Sequence, residues 1–298
     1  MHGPKDVPQP IPYQGSKRQL ALEILRYFPE QINRLVEPFA GSAAISIAVA
    51  SRKRAKAFWL NDAHGPLVDL WREIVERPKN LADSYESLWH EQLGQERTFF
   101  DEVRARFNKS HMPADFLYLL ARCVKAAIRY NSNGEFNNTP DNRRKGARPS
   151  EMRQRIECAS LLLANRVKLT SLDYREVLKS CKPKDLVYMD PPYQGVCGNR
   201  DARYLPSISH DEFCEALDRL NAMDIMYAVS YDGRTGDKVY GEAMPDSLNL
   251  RHLELKAGRS TQATLLGRDD VTYEGFYLSS ALVNVLDATP KNAQLALW

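Results

Sequence analysis

The tetrapeptide Asp190-Pro191-Pro192-Tyr193 follows an apolar run at residues 186–189 that reads as a buried strand. A carboxylate, two rigid rings and an aromatic side chain therefore stand at the carboxyl end of a strand, where open α/β sheets bind ligands. These residue types suit chemistry on an amino group attached to a flat ring. The Asp190 carboxylate and the Pro191 carbonyl can each accept one amino hydrogen, since proline keeps its acceptor while losing its donor. Two acceptors bias the nitrogen toward a tetrahedral shape and aim its lone pair at an electrophile. Tyr193 can stack on the ring. The plain alternative is a turn, because Asp-Pro commonly opens one.

Further carboxylates and one lysine stand where such a site needs them. Residues 35–39 read as a short strand carrying Glu37, Pro38 and Phe39, and Ala40-Gly41-Ser42 as the turn into a helix starting at Ala43. Small residues there let a ligand approach a helix amino terminus. The turn is neither Gly-x-Gly-x-x-Gly nor a P-loop, which disfavours a triphosphate and leaves an uncharged or zwitterionic adenosine cofactor. Simple helix–strand packing is the alternative. Asp62 follows a strand at 57–60; it could accept both hydroxyls of a ribose or cap the next helix. Asp173, just past a strand at 167–170, could accept the amine of an adenine or simply start a helix. Near the amino terminus, Tyr13-Gln14-Gly15-Ser16-Lys17 offers a ring for stacking and a cation to neutralise a carboxylate. A lysine opening an ordinary amphipathic helix (Leu20, Ile24, Leu25, Phe28) explains it equally.

The elements that would position these residues begin as βαβα, with helices at 43–50 and 67–76, which implies a parallel sheet covered by helices. The pattern then breaks. Residues 78–165 read as a helical, charged insertion, with helices at 116–128 and 152–164 around an irregular polar stretch. Sheet signals return at 167–170, 186–189 and 225–229, the last after a helix at 211–221. Runs at 248–255 and 271–282 read as an antiparallel closing pair.

At 43% hydrophobic residues a sizeable core is available. No apolar run reaches membrane-span length, and Met1-His2-Gly3-Pro4-Lys5 is not an apolar leader, so a cytoplasmic protein is expected. Five cysteines and six histidines show no metal-ligand spacing, which fits reduced thiols and no bound metal. The net charge is +3, but residues 120–170 alone carry +7, leaving −4 elsewhere. A local basic excess of this kind is either a solvated face or a polyanion footprint.

Five elements in this order resemble the Dam-type (D12 class, α arrangement) family of DNA adenine-N6 methyltransferases. They are Tyr13-Gln14-Gly15-Ser16-Lys17, Glu37-Pro38-Phe39-Ala40-Gly41-Ser42, Asn61-Asp62, the segment Arg129-Tyr130-Asn131-Ser132-Asn133-Gly134-Glu135-Phe136-Asn137, and Asp190-Pro191-Pro192-Tyr193. The resemblance covers nearly the whole chain. It implies a class I S-adenosylmethionine-dependent methyltransferase fold, a Rossmann-like mixed seven-stranded sheet. Residues 1–77 and 166–298 would form the catalytic domain, and 78–165 an inserted, mostly helical target-recognition domain. S-adenosylmethionine would meet Tyr13, Lys17, Glu37, Pro38, Phe39, Ala40, Gly41, Ser42, Asp62, Asp173 and Asp190. Asp190, Pro191, Pro192 and Tyr193 would act on a flipped-out adenine. Double-stranded DNA would meet Arg129, Asn131, Asn133, Asn137, Asn138, Arg143, Arg144, Lys145 and Arg148. A monomer is expected, with a dimer allowed, of prokaryotic or phage origin, and a restriction endonuclease could act separately beside it. One departure is Ala43, where the family often has a second glycine; the extra methyl is expected to narrow the cofactor approach. Methyl transfer to cytosine N4, to RNA or to a protein glutamine, and a decayed DNA-binding homologue, are the competing readings.

Overall fold

A computed structural model describes residues 7–192, 208–236, 238–259 and 271–288. One mixed sheet organises them: β1 (Ile32–Glu37), β2 (Ala55–Asn61), β3 (Val167–Thr170), β4 (Asp185–Met189), β5 (Met226–Thr235), β6 (Lys238–Tyr240), β7 (Arg251–Arg259) and β8 (Val271–Leu278). The spatial order is β3-β2-β1-β4-β5-β8-β7, with β6 paired to β5. β3, β2, β1, β4 and β5 run parallel; β8 runs antiparallel to β5, and β7, antiparallel to β8, returns to the direction of the parallel strands. This is the class I methyltransferase order, with one more strand than the seven expected. The addition is β6, whose three residues are too short to show periodicity in the sequence.

Both faces of the parallel strands are buried, as crossover connections require. Leu35, Phe58, Leu60, Leu186, Tyr188 and Ala228 face one cluster; the alternate residues Val36, Trp59, Val187, Met189, Tyr227 and Val229 face the other. The first face is covered by α1 (Ala21–Ile24), α2 (Ala44–Ser51) and α3 (Gly65–Glu76), the second by α8 (Tyr174–Lys179) and α9 (His210–Ala222). Between α3 and β3 come α4 (Pro78–Glu91), α5 (Glu96–Ser110), α6 (Pro113–Arg122) and α7 (Pro149–Leu163). Their apolar faces, including Tyr85, Phe100, Phe107, Phe116 and Ile156, merge with the first cluster. The helical block therefore shares the core of the sheet.

Two expected elements end early. The helix expected over 116–128 stops at Arg122, because Cys123 is extended and bridges Pro140, while Lys125 and Ala126 are left-handed. The strand expected over 271–282 stops at Leu278. There Ser279 Oγ accepts the Leu282 amide at 3.2 Å and starts α10 (Ser280–Ala288). No helix among the described residues is long and apolar enough to cross a membrane.

Candidate active site

The carboxyl ends of β1, β2 and β4 lie side by side, so the three chemical motifs converge at one sheet edge. Pro38 has no N–H and ends β1. The turn after it is tied to β2 by Ala40 N–H donating to the Asn61 carbonyl at 2.8 Å. Asn61 is buried and locks three strand ends together. Its amide nitrogen donates to the Pro38 and Leu172 carbonyls, both at 3.0 Å; its oxygen accepts from Thr170 Oγ1 (2.8 Å) and the Leu172 amide (2.9 Å).

Gly41 has φ +49°, and a Cβ there would stand 3.2 Å from Cε1 of Tyr13. A side chain would be strained and would press on the ring. Ala43 has φ +47° and ψ +35° and caps α2. Its position explains why a glycine is favoured there: the cost of alanine is conformational. The methyl is fully buried in the core beneath the turn. Burial of the methyl in the core and the left-handed backbone favour strain over a narrowed cofactor approach as the cost of alanine here. Phe39 turns to the opposite face, against Tyr174 and Phe213.

Asp62 accepts the Gly41 amide at 2.9 Å on Oδ2 and the His64 amide at 3.0 Å on Oδ1. Burial raises its pKa, and the two amides offset only part of that. Each oxygen retains a lone pair for another donor. Glu37 is fully buried and accepts the Ser46 amide of α2 at 2.7 Å. Burial pushes its carboxyl up to about 8; the Ser46 hydrogen bonding opposes this and the nearby Asp190 charge adds to it.

Lys17 opens a 3-10 turn held on the β1–α2 turn by a 2.8 Å contact between Ser16 Oγ and Ser42 Oγ. Its Nζ lies 2.8 Å from Asp190 Oδ1 and 2.8 Å from Glu274 Oε1. Burial opposes the charge, yet Asp190 and Glu274 outweigh it and the lysine pKa is raised. The expected cation is present, but the carboxylates it faces belong to the chain itself. Pro191 is buried and Pro192 exposed; Tyr193 lies outside the described residues.

Asp173 stands at the same sheet edge with its carboxylate engaged elsewhere. Its Oδ1 accepts the Arg175 amide at 2.8 Å, capping α8, and both oxygens pair with the Arg175 guanidinium, which lowers its pKa. The helix-start reading describes this residue in the structure.

The segment after α6 forms a small hairpin, with Tyr130 bridging Phe136. Asn131 is spent on its turn. Its Oδ1 accepts the Asn133 and Glu135 amides at 3.0 and 2.9 Å, and its Nδ2 donates to Glu135 at 2.9 Å. Asn133 and Asn137 are exposed, and Arg129 is half-buried. Asn138 departs from the expected outward role: it is 7% exposed, and its amide nitrogen bonds the Ala127 carbonyl inside the fold. Arg143, Arg144, Lys145 and Arg148 are all exposed; Lys145 pairs with Glu96 at 2.7 Å and Arg144 with Asp141 at 3.5 Å.

Two residues escape the sequence reading. Glu274 is one; its signal was a carboxylate on the same strand face as the buried Phe276 and Leu278. His64 is the other. Its Nδ1 accepts the Leu67 amide at 3.1 Å, capping α3, and its Nε2 lies 2.5 Å from the Tyr130 hydroxyl. Accepting at Nδ1 makes Nε2–H the donor to Tyr130. The ring stacks on Phe116, and burial pulls its pKa down to about 4. A hydrogen-bonded path thus runs from Gly41 through Asp62 and His64 to the hairpin.

Residues 13–238 match the model of a family described as D12 class N6 adenine-specific DNA methyltransferase. Among similar proteins, the modification methylase StsI of Streptococcus sanguinis is 27% identical over 271 residues, which is 84% of this chain and 40% of that protein. The type II methyltransferase M.CviBI of Paramecium bursaria Chlorella virus NC1A is 28% identical, over 83% of this chain and 98% of that one. The DNA N-6-adenine-methyltransferase of Escherichia phage P1 is 29% identical, over 60% of this chain and 23% of that one. The match thus spans well under half the length of the StsI and phage P1 relatives. With the family match running through every motif from the Tyr13 segment to Asp190, the chain belongs to the D12 class N6 adenine-specific DNA methyltransferase family.

Proposed function

We propose that this chain transfers a methyl group from S-adenosylmethionine to N6 of an adenine flipped out of duplex DNA. The observation that carries the reading is the gathering of the Gly41 turn, Asp62 and Asp190 at one sheet edge, with Lys17 clamped beside them. The residues present fit the cofactor. Gly41 is a backbone cradle that a Cβ would disturb, and the donor set around it is rich in carboxylates, as a ligand bearing an ammonium and a sulfonium requires. The cofactor, when bound, supplies an electrophilic methyl group. Asp62 would hold its ribose through the lone pairs left by the two amides, and Tyr13 would cover it. Among the proposed cofactor contacts, Asp173 is the one whose carboxylate is engaged by Arg175.

Extruding the base costs a few kcal/mol of stacking. Stacking on Tyr193 would return roughly 1–3 kcal/mol of this. Asp190 and the Pro191 carbonyl then accept the two N6 hydrogens and direct the lone pair outward. Positioning of this kind supplies much of the rate advantage. We assign target recognition to the block 78–165. Its exposed Arg143, Arg144, Lys145 and Arg148 would neutralise phosphates, which sets affinity and its salt dependence without selecting sequence. Asn133 and Asn137 are the hairpin amides available for base or backbone contacts. Asn131 and Asn138 act in building the hairpin.

Incubation with methyl-tritiated S-adenosylmethionine and unmethylated DNA, followed by nucleoside analysis, tests the reading. Label in N6-methyldeoxyadenosine, lost in Asp190→Ala with the fold retained, is expected. Label in N4-methylcytosine, in RNA or in protein, or none anywhere, would overturn it.

A further inference from the structure

Lys17 bridges two carboxylates that are far apart in sequence, Asp190 and Glu274, and only Asp190 belongs to a recognised motif. Glu274 reaches the site because of its register. It pairs with Gly233 on β5, immediately after a bulge between Ser230 and Gly233. The extra residue lies on β5, so β8 runs regularly from Phe276 to Glu274 and keeps both side chains on one face. The carboxylate is 13% exposed and the ammonium 9%, so the contact is little screened by solvent. A glutamate placed there without function would be a poor choice for a strand face continuing into Phe276 and Leu278.

We propose that Glu274 is a positioning residue for methyl transfer: it draws part of the Lys17 charge to itself and so keeps Asp190 a strong acceptor for the target amine. This rests on the amine-methylating reading above. A lysine paired with Asp190 alone would neutralise it and weaken its hydrogen bond to the amino group. A lysine shared between two carboxylates is fixed in place and leaves one net negative charge at the reacting centre. Among the described residues, the titratable groups facing Asp190 are Lys17 from the amino-terminal segment, Glu37 from β1, Tyr188 from its own strand and Glu274 from β8. Burial holds the Tyr188 phenol un-ionised, and it contacts Ser230 Oγ at 2.8 Å. Glu37 is largely protonated at neutral pH. Among the described residues, Lys17 and Glu274 are therefore the charged groups beside Asp190.

Opposite substitutions give opposite effects. Glu274→Gln, nearly isosteric, leaves Lys17 to Asp190. The acid limb of the kcat profile should move down by about one pH unit. The rate on its plateau should fall about three- to tenfold, as a weaker acceptor implies. Lys17→Met leaves two carboxylates facing each other and should move the acid limb up by about one unit. Loss of fold alone does not produce shifts of opposite sign. In the same variants, a carbon-13 titration of the Asp190 carboxyl, assigned with Asp190→Asn, reads the charge effect without turnover. Opposite shifts in that titration support the inference even if the chain methylates another substrate. An unmoved titration in Glu274→Gln, or shifts of the same sign in both variants, overturns it.

Discussion

In the proposed cofactor site, Glu37 should link cofactor binding to a proton. Its carboxyl is buried, accepts one amide and titrates at about 8. At pH 7 it is therefore about nine-tenths protonated, and the neighbouring Asp190 disfavours its ionisation. S-adenosylmethionine bound as proposed would bring an ammonium and a sulfonium to this edge, which would favour the ionised form. Binding should release up to about 0.9 proton at pH 7, and affinity should rise nearly tenfold from pH 6 to 7. The window must stay below about 7.5, because an α-amino group titrates near 8. Calorimetry in phosphate and Tris, which differ in ionisation enthalpy, counts the released protons. Glu37→Gln should abolish the release and flatten the pH dependence, since its amide oxygen still accepts from Ser46. The apo protein provides a second readout. The folded value lies above the unfolded 4.5, so the stabilising contribution is complete below 4.5 and is lost as pH rises through 8. The shift corresponds to on the order of 5 kcal/mol across that window. Glu37→Gln should therefore gain stability over the parent as pH rises from 6 to 8.5. No proton release by the parent protein, or equal release by the variant, refutes the linkage. Parallel melting curves refute the buried neutral carboxyl itself.

His64 and Ala43 give two further expectations. The folded pKa of His64, about 4, lies below the unfolded 6.5, so its contribution is complete above 6.5 and is lost as pH falls through 4. That difference is worth about 3 kcal/mol. His64→Asn preserves a helix cap without the titration, so urea melts at pH 4.5 and 7 should differ by less in the variant; equal differences would exclude His64 as the acid-sensitive group. For Ala43→Gly, relief of the left-handed alanine by about 1–2 kcal/mol opposes a lost buried methyl worth about 0.8 kcal/mol. A further 0.5–1 kcal/mol or so of unfolded-chain entropy also opposes it. Stability should stay within about 1 kcal/mol of the parent, and cofactor affinity within about threefold. A larger affinity gain would mean that the methyl does obstruct the pocket.

What could be read from the chain before folding was chemistry local in sequence. Asp190-Pro191-Pro192 and the Glu37–Ser42 turn carry their own strand ends with them, because an apolar run followed by proline or glycine defines where a strand stops. Which residues of β1, β2 and β4 face which side was not legible in the same way, because both faces are buried and the runs are continuously apolar. Errors arose where a long-range contact overrode a local pattern. The apolar spacing of 116–128 continues past Arg122, but a hydrogen bond from Val124 N–H to the Thr139 carbonyl opens the chain there. Asn138 reads as an outward amide, yet the Ala127 carbonyl needs a donor inside the hairpin base. Serine at 279 was a legible stop, since a hydroxyl before an apolar run is an N-cap signal.

The charge balance of the site belongs to a different class of information. Asp190 looks complete in the sequence, with its prolines and aromatic ring beside it. Lys17 comes to it from a 3-10 turn near the amino terminus, and Glu274 comes to Lys17 from β8, which pairs antiparallel with β5. Period-two patterning excludes a slip of one residue, which would move every side chain to the other face, but not a slip of two, which keeps each side chain on its face while changing its partner across the sheet. In the register adopted, Glu274 and Phe276 share a face, so the same packing that buries the ring delivers the carboxylate to Lys17. If Glu274 tunes Asp190 as proposed, the acceptor strength of Asp190 depends on how β8 packs, and core substitutions at Phe276 or Leu278 should act on the chemistry through Glu274.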